Sequence, residues 1–211
     1  MKKVFITIFS VLIFDQILKF WVKTNFMLGE EISVFGNWFL LHFIENDGMA
    51  FGMQFGGQYG KLILVLFRII AISLLSWYLY GLVKKKAHKL LIYSLSLIIA
   101  GAIGNLIDSI FYGVLYSDSI FKIAQFMPKE GGYAGLFYGA VVDMFYFPIL
   151  QGHYPDWFPF FKNEEFIFFR PVFNIADTSI TIGVSLILVF HNKLFPKQIK
   201  QENKSSNELN V

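Results

Sequence analysis

Two aspartates in apolar surroundings are the residues of this sequence best suited to chemistry. Asp143 follows two valines, and Asp177 stands near the start of an apolar stretch. A carboxylate within a membrane segment is energetically costly, so it indicates a functional site by default. The chain has no cysteine and no clear serine–histidine arrangement. We therefore expect the two aspartates to act as a pair that hydrolyses a peptide bond at a membrane surface.

The composition indicates a helical protein that spans a membrane. Of its 211 residues, 55% are hydrophobic and 16% are charged, and the mean hydropathy is +0.55. A soluble domain carries fewer apolar and more charged residues. Runs of about 20 apolar residues are long enough to cross a bilayer. The sequence has four such runs, at residues 4–22, 62–83, 90–107 and 172–190. The predicted fold is an all-α membrane protein with four transmembrane helices.

The composition also excludes several kinds of site. Without cysteine, the chain has no disulfide, no thiolate nucleophile and no cysteine-based metal site. Its four histidines lack the HExxH spacing of zinc proteases, so we predict no metal and no cofactor. The N-terminus resembles a signal peptide, but no small-residue cleavage site follows, and the apolar run continues through Asp15 and Lys19. We expect an uncleaved first helix.

The distribution of lysines predicts the orientation in the membrane. Short loops rich in Lys and Arg stay in the cytoplasm. Lysines precede the first span, lie between the second and third spans at residues 84–86 and 89, and follow the fourth span. Residues 24–60 contain no Lys or Arg. Both ends are therefore expected in the cytoplasm, with two large segments outside. In this topology the outer part of the membrane contains the strongly polar groups of the spans, namely Asp15, Lys19, Arg68, Asn105, Asp108 and Asp177.

The two outer segments differ in their patterns. Residues 31–53 are rich in aromatic and β-branched side chains, with turn signals at 36–37 and 46–48. This pattern predicts a small extracytoplasmic β-sheet; a connecting loop with aromatic anchors is the alternative. Residues 109–171 form an enlarged, aromatic-rich segment, and prolines interrupt its second half, which favours an interfacial loop or lid. We predict one membrane domain over residues 1–196 and a polar cytoplasmic tail over 197–211.

Three groups of residues are spaced to support the two aspartates. Asp15 and Lys19 are one helical turn apart, so they pair and either stabilise the bundle or shape the charge of a site. Asn105 and Asp108 share a helix face, where they either bond to neighbouring helices or hold the reacting carboxylates. Asp177 lies near a helix N-terminus, whose positive dipole favours an ionised carboxylate. A simple helix cap is the alternative for Asp177.

Taken in order, five short motifs resemble the signal peptidase II family of membrane aspartyl proteases, the lipoprotein signal peptidases. They are Asp15-Gln16 with Lys19; Asn46-Asp47-Gly48-Met49-Ala50-Phe51-Gly52; Gly104-Asn105-Leu106-Ile107-Asp108; Val141-Val142-Asp143; and Phe173-Asn174-Ile175-Ala176-Asp177. The resemblance implies that Asp143 and Asp177 form the catalytic dyad. It also implies supporting or substrate-binding roles for Asp15, Lys19, Asn46, Gly48, Gly104, Asn105, Asp108, Asn174 and Ala176.

The resemblance further implies a substrate and a location. Family members remove the signal peptide of diacylglyceryl-modified prolipoproteins just before the lipidated cysteine. We expect a monomer in the bacterial inner membrane, in contact with membrane lipid and not with nucleic acid, with its active site toward the extracytoplasmic face. Two departures stand out. Ser109 occupies the position where the family has Arg, leaving Arg68 or Arg170 to supply the cation, and the segments flanking Asp143 are longer than usual.

Two other classes of protein remain as alternatives. A small transporter or proton-relay bundle would use Asp15, Lys19, Asp108 and Asp177 as a relay. It predicts polar residues through the whole depth of the helices, and the inner halves contain few beyond serines. A non-catalytic scaffold for lipoproteins would explain the aromatic segments but would leave the paired aspartates without a role.

Overall fold

The structure is a computed structural model that describes residues 1–47, 57–148, 150–153, 165–168 and 170–195. Three features predicted from the sequence lie outside the described residues. They are residues 48–52 of the second motif, which include Gly48, the Pro155–Pro159 part of the expected lid, and the polar tail at 197–211.

Three of the described helices are long and apolar enough to cross a membrane. They are α1 (Lys2–Lys23), α2 (Gly57–Lys84) and α3 (Lys89–Ile107). Helix α3 continues through a π-helical turn, Asp108–Tyr112, into a short helix α4, Gly113–Leu115. The predicted spans at 4–22, 62–83 and 90–107 therefore match helices, and the third extends beyond its predicted end. The protein is mostly helical and embedded in a membrane.

The fourth predicted span begins later in the structure than the sequence pattern indicates. Helix α5 (Ile175–Val189) has 15 residues and is followed by a single turn, α6 (His191–Leu194). Asn174 starts α5 as its N-cap: its side chain accepts from the backbone N–H of Asp177, whose carboxylate accepts from the N–H of Asn174. This reciprocal capping box satisfies backbone donors that a helix end leaves unpaired. Apolar residues 172 and 173 therefore lie outside the helix.

A small antiparallel sheet lies beside the helices, as predicted for part of its length. Its strands are β1 (Glu31–Phe35), β2 (Phe39–Asn46), β3 (Val141–Tyr146) and β6 (Val172–Phe173), in that spatial order. The strands within 31–46 and the turn between them confirm the sheet predicted there. Strand β3 lies inside the enlarged 109–171 segment, before the proline-interrupted part expected to form a loop or lid, and it pairs between β2 and β6. A second hairpin joins β4 (Leu150–His153) and β5 (Glu165–Phe168).

Packing brings α1, α3, α5 and β3 together at one end of the bundle. Helix α3 contacts α1, α2 and α5. Gly101 permits the approach of α3 to α5, because a Cβ at this position would overlap the backbone carbonyl of Ala176. A buried cluster joins the end of α1 to the sheet and includes Val22, Phe26, Phe43, Tyr112, Val142 and Met144. The candidate site lies next to this cluster.

Candidate active site

Asp143 and Asp177 come from different elements and are joined by one side chain. Asp143 lies in β3, and Asp177 lies in the first turn of α5. The fully buried Asn174 donates from Nδ2 to Asp143 Oδ1 at 2.6 Å. Its Oδ1 accepts from the backbone N–H of Asp177 at 2.9 Å. The two carboxylates predicted to act as a pair are therefore positioned by a common amide.

Local structure explains how each carboxylate is held. Strand β3 is buried along residues 141–144, and its pairing with β2 sets Asp143 opposite Ile44. From the end of β2, Asn46 donates through Nδ2 to Asp143 Oδ2 at 3.3 Å. Asp177 is fixed by the capping box, in which its Oδ2 accepts from the N–H of Asn174 at 3.3 Å. Its position near the helix N-terminus also favours the ionised carboxylate.

Asn105 provides the second connection to Asp177. Its Nδ2 donates to Asp177 Oδ1 at 2.7 Å. Its Oδ1 accepts from Lys19 Nζ at 2.8 Å and from Asn174 Nδ2 at 3.1 Å. Because both ends of this amide are engaged, Asn105 has one orientation, with its donor directed at Asp177. Asn105 therefore bonds both to a side chain of a neighbouring helix, Lys19, and to Asp177.

A fully buried charge cluster lies behind the two aspartates. Lys19 Nζ is 3.0 Å from Asp15 Oδ2 and 2.8 Å from Asp108 Oδ2. Asp15 Oδ1 accepts from the backbone N–H of Ala176 at 2.9 Å. Asp108 Oδ2 accepts from the backbone N–H of Val142 at 3.2 Å. Ala176 immediately precedes Asp177 in the sequence, and Val142 immediately precedes Asp143. The charge cluster therefore fixes the backbone next to each of the two aspartates.

Gly104 and Ala176 are small because the helices approach closely at this site. A Cβ at Gly104 would lie 2.8 Å from Asp15 Oδ2 and 3.2 Å from the Cβ of Ala176. Ala176 is itself fully buried. A larger side chain at position 104 would displace a carboxylate that Lys19 and the start of α5 both require. The contribution of both residues is therefore spatial.

Burial increases the affinity of the Asp143 carboxyl group for its proton. Removal from solvent raises the pKa of Asp143 to about 7, and the nearby charge of Asp177 acts in the same direction. Hydrogen bonds from Asn46 and Asn174 and the charge of Lys19 oppose this shift. Asp177 is only partly buried. A carboxyl group that retains its proton near neutral pH beside a more accessible carboxylate can serve as a hydrogen-bond donor.

Two residues that contact the site were not predicted from the sequence, Gln16 and Tyr112. Gln16 donates from Nε2 to Asp108 Oδ1 at 2.9 Å and to Asp15 Oδ2 at 3.1 Å, so it joins the charge cluster. Its only sequence signal is its place directly after Asp15 in the first motif. Tyr112 donates from its hydroxyl to Gln16 Oε1 at 3.2 Å. This bond fixes the orientation of the Gln16 amide.

The structure distinguishes between the two arginines considered for the missing cation. Arg68 of α2 donates from Nη1 to Ser109 Oγ at 3.2 Å, and Ser109 Oγ donates to the carbonyl of Asn105 at 3.0 Å. The charges of Asp177 and Asp108 act on the Arg68 guanidinium. Arg170 is exposed. Arg68 thus places a positive charge beside Ser109, the position where the family resemblance leads one to expect an arginine.

Within the described parts of the chain, no group of three or more histidine or carboxylate side chains could hold a metal ion. The chemistry available from these residues is that of two coupled carboxyl groups. They are held by three asparagines, Asn46, Asn105 and Asn174, with a buried cation behind them.

Comparison with known proteins assigns this arrangement to a family. The sequence profile of the signal peptidase (SPase) II family matches residues 7–193. The chain belongs to this family. A lipoprotein signal peptidase of Porphyromonas gingivalis is 53% identical over 189 residues, which cover 89% of this chain and 82% of the relative. Another, from Amoebophilus asiaticus, is 43% identical over 180 residues, covering 84% and 72% respectively.

Solved structures show the same fold. Two structures described as bacterial membrane enzymes share the fold. One has a TM-score of 0.60 at 25% identity and covers 92% of this chain and 94% of its own. The other has a TM-score of 0.59 at 24% identity, covering 97% and 96%. As a signal peptidase II, the protein is an aspartic protease that removes signal peptides.

Proposed function

We propose that this signal peptidase II cleaves lipoprotein precursors with Asp143 and Asp177 as its catalytic dyad. The observation that carries the proposal is the bridge through Asn174, which bonds to Asp143 and to the backbone of Asp177. No other pair of carboxylates in the described residues combines a shared amide bridge with a partly accessible member. The relatives from Porphyromonas gingivalis and Amoebophilus asiaticus are lipoprotein signal peptidases, which supports the substrate class.

The different surroundings of the two aspartates support separate roles. Two carboxyl groups held close together share one proton, because ionising both is unfavourable. Asp143 is the more buried, and its pKa is raised to about 7, so it retains the proton near neutral pH. Asp177 is only partly buried, and it accepts hydrogen bonds from Asn105 and from the backbone of Asn174. Asp177 is therefore the base, and Asp143 is the acid.

The reaction follows from these roles. Ionised Asp177 takes a proton from a water molecule, whose oxygen attacks the scissile carbonyl carbon. Asp143 donates a hydrogen bond to the oxygen on which negative charge develops. When the tetrahedral intermediate collapses, the C–N bond breaks and the proton on Asp177 passes to the departing amine. The supporting residues position the two carboxyl groups and take no part in bond making. They are Asp15, Lys19, Asn46, Gly104, Asn105, Asp108, Asn174 and Ala176.

The proposal includes the arrangement in the membrane. α1, α2, α3 and α5 are four spans with both chain ends in the cytoplasm, and residues 1–196 form one domain followed by a cytoplasmic tail. The protein acts as a monomer in the inner membrane, in contact with lipid, with its site on the extracytoplasmic side. The substrate is cleaved just before its diacylglyceryl-modified cysteine. Gly48 of the second motif contributes to substrate binding.

An assay of the full chain in lipid bicelles tests the dyad. Asp143→Asn and Asp177→Asn should each reduce turnover of a lipid-modified precursor by about 10²- to 10⁴-fold, the usual contribution of a general acid or base. Glu130→Gln, at an exposed position, is the matched control and should leave turnover unchanged. Near-normal turnover by either asparagine variant would show the dyad assignment to be wrong.

A second substrate tests the substrate class separately. The same precursor without its lipid should be cleaved poorly, because only the lipid anchor holds the bond at the height of the site. Equal turnover of the two precursors would overturn the lipoprotein assignment while leaving the dyad intact.

A further inference from the structure

A closed loop at residues 116–127, here called the 116–127 loop, follows α4 and lies outside the candidate site. Its ends are joined by an isolated β-bridge between Tyr116 and Phe126. The backbone N–H of Ser117 donates to the carbonyl of Gln125 at 3.0 Å, and that of Met127 donates to Leu115 at 2.7 Å. These bonds give the loop a defined shape.

The base of the 116–127 loop is attached firmly to the end of α1. Ser119 is fully buried, and its carbonyl accepts from the backbone N–H of Leu28 at 2.9 Å. Its Oγ accepts from Lys23 Nζ at 3.0 Å. The same buried ammonium lies over the rings of Tyr116 and Tyr133, at 5.6 Å and 4.9 Å from their centroids. Such cation–π contacts are strongest where water is excluded.

The tip of the loop is apolar and projects outward. The exposed apolar side chains of the loop are Ile120, Phe121 and Ile123 at the tip and Phe126 and Met127 nearer the base, and Phe121 is 94% exposed. The backbone of Phe121 has φ +55°, a left-handed conformation that a bulky side chain rarely adopts. The loop therefore holds a phenylalanine outward in spite of the unfavourable conformation. A contiguous exposed apolar patch of this kind marks a contact surface.

The apolar surface of the tip continues the surface of a membrane-spanning helix. Phe126 packs edge-on against Phe20 of α1, with ring centroids 5.6 Å apart. Phe20 lies on the exposed apolar side of α1, together with Phe9, Ile13 and Ile17. In a membrane-embedded protein, exposed apolar side chains on a spanning helix contact lipid. Exposed Lys122 also lies in the loop, where it pairs with the exposed carboxylate of Asp118 at 2.8 Å, and exposed Lys129 closely follows the loop.

We propose that the 116–127 loop inserts its apolar tip into the interfacial layer of the bilayer. Ile120, Phe121 and Ile123 reach the upper acyl chains, and Lys122 and Lys129 lie at the level of the lipid phosphates, where long basic side chains direct their charge. The bilayer occupies this surface because the surface is continuous with the lipid-contacting face of α1. Lys23 also pairs with Glu45 of β2, so the inserted loop sets the height of the sheet that carries Asp143.

The cysteine-free chain permits a direct test with a single introduced thiol. Phe121→Cys is labelled with an environment-sensitive fluorophore and reconstituted in vesicles of phosphatidylethanolamine and phosphatidylglycerol. Lipids that carry a nitroxide quencher at the headgroup or high on the acyl chain report depth. Glu130→Cys, exposed and polar in the same segment, is the aqueous control, and Ile17→Cys on α1 is the lipid control.

The label at 121 should emit further to the blue than the label at 130, with strong quenching by the lipid nitroxides. Phe121→Asp should move a label placed at Ile123→Cys toward water. If the label at 121 is quenched by aqueous iodide as strongly as the label at 130, membrane insertion is wrong. Protection that disappears when the protein is diluted with excess lipid would assign the surface to a second copy and would also overturn the proposal. None of these readouts depends on peptidase activity.

Discussion

Replacing Lys19 by methionine tests how the charge cluster holds the site. Methionine keeps much of the length of the side chain but removes its charge and its three donors. Lys19 is fully buried, and its Nζ lies 3.0 Å from Asp15, 2.8 Å from Asp108 and 2.8 Å from Asn105 Oδ1. The substitution therefore leaves two adjacent buried carboxylates without their cation and removes one of the two donors to the Asn105 amide oxygen.

The magnitude follows from these contacts. Breaking a buried ion pair by removing one partner lowers the free energy of unfolding by about 3–5 kcal/mol. The lost hydrogen bond to Asn105 adds about 1 kcal/mol. We therefore expect Lys19→Met to lower the free energy of unfolding by about 5 kcal/mol. Turnover should fall even where the variant stays folded, because Asn105 then loses one of the two bonds that orient its donor toward Asp177.

The assay is reversible unfolding by sodium dodecyl sulfate in mixed micelles, together with turnover of the lipid-modified precursor. Lys122→Met is the control, because Lys122 pairs with Asp118 at the surface, and an exposed pair contributes about 0–1 kcal/mol. The combined variant Asp15→Asn, Lys19→Met, Asp108→Asn removes all three charges and should unfold less readily than Lys19→Met alone. A loss below about 1 kcal/mol for Lys19→Met would refute the buried cluster, because an exposed pair contributes that much.

Three further outcomes are expected. Gly104→Ala should lower the free energy of unfolding by about 1–3 kcal/mol, because its Cβ would lie 2.8 Å from a buried carboxylate oxygen of α1. Gly81→Ala is the control, because its added methyl group meets nothing within 4 Å. An equal loss of unfolding free energy in both variants would contradict this account. Since the pKa of Asp143 is raised to about 7, kcat/KM should decline as pH rises through that value, and a flat profile from about pH 6 to about pH 8 would contradict its role as the acid. Arg68→Gln should reduce turnover about tenfold, and Arg68→Lys less, because only lysine retains a charge beside Ser109; equal losses would exclude a role for that charge.

Local sequence patterns predicted the elements that depend on neighbouring residues. The apolar runs correspond to α1, α2 and α3, and the aromatic and β-branched residues at 31–46 correspond to the first hairpin. The sequence patterns did not predict the π-helical extension of α3 beyond residue 107, nor that α5 begins at Ile175 and not at residue 172. Both are determined by partners distant in sequence, as when Val172–Phe173 pair with β3 instead of joining the helix.

The candidate site divides in the same way. The residue types and their order along the chain were sufficient to single out Asp143, Asp177 and their supporting motifs, because the chemistry requires carboxylates and the membrane makes buried ones rare. Their separation could not be read from the sequence, since Asp143 lies within a long segment of weak local pattern. Pairing of β3 between β2 and β6 brings it to α5.

Tertiary structure alone decided which of several suitable residues act together. The sequence left Arg68 and Arg170 as equal candidates for the missing cation, and the packing of α2 against α3 brings Arg68 to Ser109. It also left the acid and base roles open, and the burial of β3 together with the start of α5 at the site supports the assignment proposed above. Burial and long-range contacts set charge and geometry. Both are properties of the folded chain, whereas hydropathy and motif order are properties of the sequence.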